Sequence, residues 1–225
     1  MKRYISASRV EGRASRQAHC DLPEGTYERE MSKEGFFGPA AFFHHRHPPT
    51  GWVGFRGPLG PRAFDLAKLA VAGASPWSAP TILGNVHCRL RFWRVVPPMP
   101  RLARNADGDE LLFVHAGTGH LYCDFGHLEF AAGDYIVLPR GTMWRLDATD
   151  AVDLLLIEAT GSSYMLPEKG LVGNHAIFDP ALLEAPRVDE AFLAQQSDTT
   201  GWQVEVKRRG EIDGIAVDPG RDGGE

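Results

Sequence analysis

The chain has 225 residues, 43% of them hydrophobic and 24% charged, with a formal net charge of −5. That suffices for one large domain or two small ones without disulfide or metal staples, and it excludes fibrous, disordered and disulfide-scaffold classes. No basic field advertises nucleic acid, and no apolar run approaches the roughly 18 residues of a membrane span.

Glycine (25) and proline (16) are abundant, which favours short strands and turns over a helix bundle. The first twenty residues are basic but lack an apolar core, so no secretory signal is predicted. Cys20, Cys88 and Cys123 form no CxxC pair, and a reducing cytoplasm is the expected compartment.

Residues 1–80 read as a long N-terminal arm. Apolar clusters alternate there with breaks such as Pro48-Pro49 and Gly57-Pro58, and neither a helical nor a strand period is sustained. One short helix is expected near Phe64–Val71. The arm needs Phe36, Phe37, Trp52 and Phe55 to bury against something.

From Thr81 the pattern changes. Val86–Val96 alternates with period two, and Asp109–His115, His120–Asp124, His127–Phe130, Tyr135–Leu138, Met143–Asp147 and Val152–Glu158 follow between glycine turns. Such spacing predicts an antiparallel sandwich or barrel over 81–165. Residues 166–225 read as a linker with a helix start at Asp179–Ala185, one strand at Trp202–Arg208 and a tail beyond Val217 without core formers. Gly170, Gly173 and Asn174 mark a turn-rich linker and no phosphate loop.

Metal-binding barrels of the cupin type carry H-x-H, then a glutamate and a glycine six residues beyond it, followed by G-x5-P-x-G-x2-H. Two imidazoles one strand step apart, a carboxylate and a third imidazole then surround one divalent ion. This sequence keeps the frame in Glu110, Gly117, Gly133, Pro139 and Gly141. The ligand positions hold Asn105, Asp107 and Trp144, and an indole cannot ligate a metal. A bulky ring at 144 should plug the barrel. The reading is a degenerate cupin, mainly β, with no metal ligand and no catalytic residue assigned.

Several blocks carry a wider likeness: Asn105-Ala-Asp-Gly-Asp-Glu-Leu-Leu-Phe113, Gly133-Asp-Tyr-Ile-Val-Leu-Pro-Arg-Gly141, Gly170-Leu-Val-Gly-Asn-His-Ala176, Gln17–Thr26, His44–Trp52 and Gln203–Gly210. Together they resemble the N-terminal half of the homogentisate 1,2-dioxygenase family, in its bacterial branch. The resemblance implies a double cupin that uses Fe(II) and O2 to open the ring of homogentisate, giving maleylacetoacetate in tyrosine and phenylalanine breakdown. It also implies a homo-oligomer. The family's iron ligands belong to the C-terminal catalytic cupin, which is expected to be missing from this truncated or frameshifted chain. Fe(II) is therefore not expected to be bound here. The alternative is a non-enzymatic binding or assembly module.

Other histidines read as structural. His44, His45 and His47 precede two prolines and lack a placed carboxylate. His115, His120 and His127 would form a replacement metal trio only if all three faced inward. His87, Arg89 and Arg91 share a face expected toward solvent or a partner. His19 and Cys20 lack a placed base. Asp107, Asp109 and Glu110 are expected to cap turns or pair with Arg104 and Arg140, and Glu129 to pair with Arg140. Trp202, Val204 and Val206 form an apolar face expected to lie exposed without a second cupin, lowering solubility.

Overall fold

The computed structural model describes residues 22–34, 37–58, 60–69, 71–96, 99–166, 180–196 and 201–217. Two compact units divide between Ala63 and Phe64. No helix among the described residues is long and apolar enough to cross a membrane.

The first unit holds an antiparallel hairpin, β1 (Tyr27–Glu34) and β2 (Phe37–His45), in register from Tyr27↔His45 to Glu34↔Phe37. The sequence predicts no sustained strand here, because proline and glycine breaks separate the apolar clusters and no strand period holds. Ladder hydrogen bonds and cross-strand pairs override that pattern. The Arg29 guanidinium, for example, lies 5.3 Å from the Phe43 ring centroid directly opposite. Trp52 and Phe55 meet edge to face at 5.3 Å, yet both stay more than half exposed, against the expectation of burial. Phe36 and the Phe37 side chain lie outside the described residues.

The second unit contains, in chain order, α1 (Leu66–Leu69), β3 (Val71–Gly73), β4 (Thr81–Gly84), β5 (Cys88–Val95), β6 (Leu102–Asn105), β7 (Asp109–Ala116) and β8 (Thr118–Cys123). It continues through β9 (Gly126–Ala131), β10 (Tyr135–Leu138), β11 (Met143–Asp147), β12 (Val152–Ala159), α2 (Glu190–Gln196), β13 (Trp202–Arg208) and β14 (Glu211–Val217). One sheet runs β10-β7-β12-β5-β3, with β4 also on β5; the other runs β14-β13-β6-β11-β8-β9. Pairing is antiparallel except for β3–β5 and β13–β6. The fold is mainly β and of the cupin type.

Local chemistry sets the boundaries. β5 begins at Cys88 rather than Val86 because Asn85 Oδ1 accepts from the His87 and Cys88 amides, an Asx turn that competes with the ladder. Gly117, Gly133 and Gly141, the glycines of the cupin frame, have φ of 97°, 101° and 91°, which side chains with a Cβ rarely adopt.

The core lies between the sheets. Leu112, Leu154, Trp93 and Val114 from the first meet Ala103, Leu121, Trp144 and Leu146 from the second. Trp144 is 1% exposed and packs edge-on against Trp93, with centroids 6.3 Å apart. It fills the barrel as expected.

The C-terminal strands depart most from expectation. β13 is built into the second sheet, parallel to β6, and Arg209-Gly210 turns it into β14, a stretch to which the sequence pattern assigns no element. The apolar parity of β13 faces outward and is not left bare: Val204 is buried, Val206 half-buried, and the Arg145 guanidinium covers Trp202 at 5.0 Å. Residues 218–225 lie outside the described set.

Candidate functional site

Glu110 on β7 and Glu158 on β12 are register partners on the interior face of the first sheet. Asn105 on β6 and Lys207 on β13 are register partners on the facing sheet. The two pairs meet inside the barrel. Asn105 Nδ2 donates to Glu110 Oε1 at 3.0 Å and to Glu158 Oε1 at 3.1 Å. The Lys207 ammonium donates to Glu158 Oε1 and, at 2.7 Å, to Asp107 Oδ2. Arg91 reaches Glu158 Oε2 at 3.1 Å, and Trp77 Nε1 donates to Glu110 Oε1 at 2.8 Å. Lys207 and Glu158 are each 1% exposed and Glu110 2%.

Charge in this buried interior must be matched, because an unpaired buried ion costs several kcal/mol (roughly 3–5 when one partner is removed). Burial pushes the Glu110 carboxyl above its usual range. Hydrogen bonds from Trp77 and Asn105 oppose the rise, and the neighbouring Glu158 charge adds to it. Burial would raise Glu158 too, but bonds from Lys207, Asn105 and Arg91 outweigh it and hold that carboxyl low. Asp107 is likewise held low against desolvation by Lys207 and by the Gly210 and Arg209 amides. Two adjacent glutamates are thus driven in opposite directions. Glu110 Oε2 and Trp144 Nε1 are buried without hydrogen-bond partners.

Chemically, these residues do not fit a divalent iron. Trp144 Nε1 and the Lys207 ammonium offer no lone pair, and Asn105 Oδ1 already accepts from the Asp107 and Gly108 amides at 2.8 and 3.3 Å. Among the described residues no group of three His, Cys, Asp or Glu could hold a metal.

The acidic turn behaves partly as expected. Asp109 accepts from the Arg140 and Tyr164 amides, both at 2.8 Å, and caps those turns. Asp107 pairs with Lys207 instead of Arg104, whose nearest carboxylate is Asp124 at 3.9 Å. Arg140 meets Asp109 through its backbone, and its expected partner Glu129 faces His120 across β8–β9. Asp107, Asp109 and Arg140 line a cleft of about 180 Å3 with Thr160, Ser162 and Ser163.

The histidines separate. His115 sits against Phe92 and Phe113 on the first sheet, whereas His120 and His127 belong to the second. The trio does not assemble, but an Asp–His–His chain does: His120 Nδ1 lies 2.9 Å from His127 Nε2, and His127 Nδ1 lies 2.8 Å from Asp189. Asp189 also caps α2 by accepting from the Phe192 amide at 2.9 Å. His44 and His45 end β2 and His47 lies beyond it, so His45 and His47 share no strand face. Arg91 turns inward to Glu158, against the expected solvent-facing row with His87 and Arg89. His19, Cys20, Gly170, Gly173 and Asn174 lie outside the described residues.

Lys207, Glu158 and Arg91 were missed. The available signal was parity: in WQVEVKR the charged set Glu205 and Lys207 alternates with the apolar set, and with the apolar set expected on a face toward a second cupin, the charged set falls on the opposite, barrel-facing side.

The family model for the homogentisate 1,2-dioxygenase N-terminal domain matches residues 90–214, more than half of the chain. The homogentisate 1,2-dioxygenase of Legionella pneumophila (strain Corby) is 31% identical over 83 residues, covering 36% of this chain and 20% of that protein. That of Sinorhizobium fredii is 26% identical over 116 residues, covering 50% of this chain and 24% of that protein. The matches thus span about a quarter or less of these relatives. Among solved structures, a double-stranded β-helix protein from Klebsiella pneumoniae aligns with a TM-score of 0.39 at 13% identity, covering 47% of this chain and 95% of that one. The frame glycines, the two-sheet barrel and the family match lead to one conclusion: the chain belongs to the homogentisate 1,2-dioxygenase N-terminal family.

Proposed function

We propose that this domain is the non-catalytic, supporting cupin of an Fe(II)-dependent ring-opening dioxygenase acting on homogentisate and O2. The observation that carries the reading is the interior of the barrel. At the positions where a metal cupin would present imidazoles it has Asn105, Asp107 and Trp144, closed by Lys207. Iron, supplied by a second cupin bearing two histidines and a glutamate, would bind substrate and O2 there; this domain's residues pack and position that partner.

An assembly role draws support from the outer face of the first sheet. Tyr135, Phe113, Leu155 and Phe92 form one cross-strand row, and Val137, Leu111, Ile157 and Leu90 form the next. Tyr135 and Val137 at its edge are about half exposed or more. A homo-oligomer would cover this exposed edge. A cytoplasmic location agrees with the free thiols of Cys88 and Cys123.

The test is O2 consumption by the purified 225-residue chain with Fe(II), ascorbate and homogentisate, with iron measured on the same sample. Neither iron nor O2 uptake is expected. Stoichiometric iron with O2 consumption would place a catalytic centre in this chain and overturn the reading.

A further inference from the structure

The interior of the barrel gathers Asp107, Glu110 and Glu158 around one ammonium group. Two of these carboxyls are register neighbours on adjacent strands, an arrangement in which like charges repel. Arg91 neutralises only one edge of Glu158, through Oε2. The other edge, Oε1, receives Lys207 and Asn105. Among the described residues Lys207 is the one cation that reaches both Glu158 and Asp107, so it joins the Asn105–Asp109 turn to β12 across the barrel.

We propose that this interior is a cation site whose resident is the Lys207 ammonium, and that a primary alkylammonium is the ligand it takes when that side chain is cut back. The acceptors select for this chemistry. Asp107 Oδ2 and Glu158 Oε1 present full negative charge to a group with three N–H donors, and the Asn105 amide fills the remaining position on Glu158. The buried Glu110 Oε2 has no hydrogen-bond partner among the described residues. The strand that delivers the ammonium comes from far along the chain, so site and fold close together. The inference rests on this geometry alone and stands whether or not the domain serves a dioxygenase.

The experiment uses the full chain with Lys207→Ala, which removes three methylenes and the ammonium, and reads thermal unfolding. Tm is expected to fall by about 10 °C, the scale for stranding buried carboxylates. Propylammonium chloride replaces the lost atoms and should raise Tm of the variant with concentration, because it binds only the folded state. Sodium chloride and tetramethylammonium chloride at equal ionic strength should not, and the wild type should respond to none of them.

An unchanged Tm in Lys207→Ala overturns the proposal, as does equal rescue by tetramethylammonium. Stronger rescue by Mn2+ than by propylammonium would overturn the ligand class, and a Mn2+-dependent rise in wild-type Tm would overturn the residency of Lys207. If Lys207→Ala does not fold alone, its refolding yield in propylammonium becomes the readout, and no recovery counts against the proposal. Lys207→Met supplies a second check: an isosteric apolar side chain as stable as wild type would overturn it.

Discussion

Glu110 and Glu158 face each other across β7 and β12, yet their carboxyls are driven apart: burial lifts the first, and Lys207, Asn105 and Arg91 hold down the second. The pH dependence follows from those directions. An acid whose native pKa is raised binds more protons folded than unfolded, so stability falls as pH climbs from its ordinary value of 4.5 toward the native one. Glu158 and Asp107 have the opposite sign: their contribution is present above the ordinary carboxylate range and is lost as pH falls through their lowered native values. Glu110→Gln, neutral at every pH, should therefore gain stability relative to wild type as pH rises above 4.5. Urea unfolding of both proteins between pH 4 and pH 8 checks this; a constant difference would show that Glu110 titrates alike in the folded and unfolded chain.

Trp144 is expected to be the costliest single truncation in the core. Its ring is fully enclosed and braced edge-on by Trp93, so Trp144→Ala should lose about 3–5 kcal/mol in denaturant unfolding. Trp144→His restores an imidazole at the frame position. It should acquire no iron, since Asn105 and Asp107, the latter paired with Lys207, still stand at the positions of the other two imidazoles. Metal content after incubation with Fe(II) under argon measures that outcome.

α2 is tied to the barrel through polar contacts at both ends, Asp189 to His127 and Gln195 to Arg145. His127 also exchanges both backbone hydrogen bonds with Arg187, at 2.9 and 3.0 Å. His127→Phe keeps the ring and the backbone bridge but deletes the link to Asp189. Amide exchange over residues 190–196 should accelerate while the β-strand amides keep their protection. Unchanged exchange in α2 would mean that the Phe192 cap and Gln195 hold the helix without the imidazole.

Much of the barrel was legible because its code is local. Tyr135–Leu138 and Met143–Asp147 were bounded by turn residues and agree to the residue with β10 and β11. The cupin frame and Trp144 could be read from spacing for the same reason. The network was not legible, because it depends on which strands lie opposite. Lys207 reaches Asp107 across 100 positions of sequence, and Glu110 meets Glu158 only through the β7–β12 register. Parity alone made β13 a strand with an apolar face awaiting a second cupin, and only its parallel pairing with β6 shows that the opposite face carries Lys207 into the barrel. The hairpin β1–β2 was hidden for another reason: its charged strand is stabilised by cross-strand partners that composition does not reveal.

The turn between β13 and β14 offers a prediction of the opposite sign. Arg209 and Gly210 have φ of 54° and 78°, the left-handed pair of a two-residue hairpin turn. Gly210 takes this conformation freely, but Arg209 carries a Cβ and is strained by roughly 1 kcal/mol. Asp107 compensates by accepting from both turn amides, and the same carboxylate binds Lys207. Arg209→Asn, giving the Asn-Gly turn that suits this geometry best, should raise stability by about 0.5–1 kcal/mol, a shift of a few degrees in Tm. Asp107→Asn should lower it, since the turn keeps an acceptor while Lys207 loses a charge partner. If the two substitutions couple in a double-mutant cycle, turn and buried cation act as one unit; strict additivity would separate them.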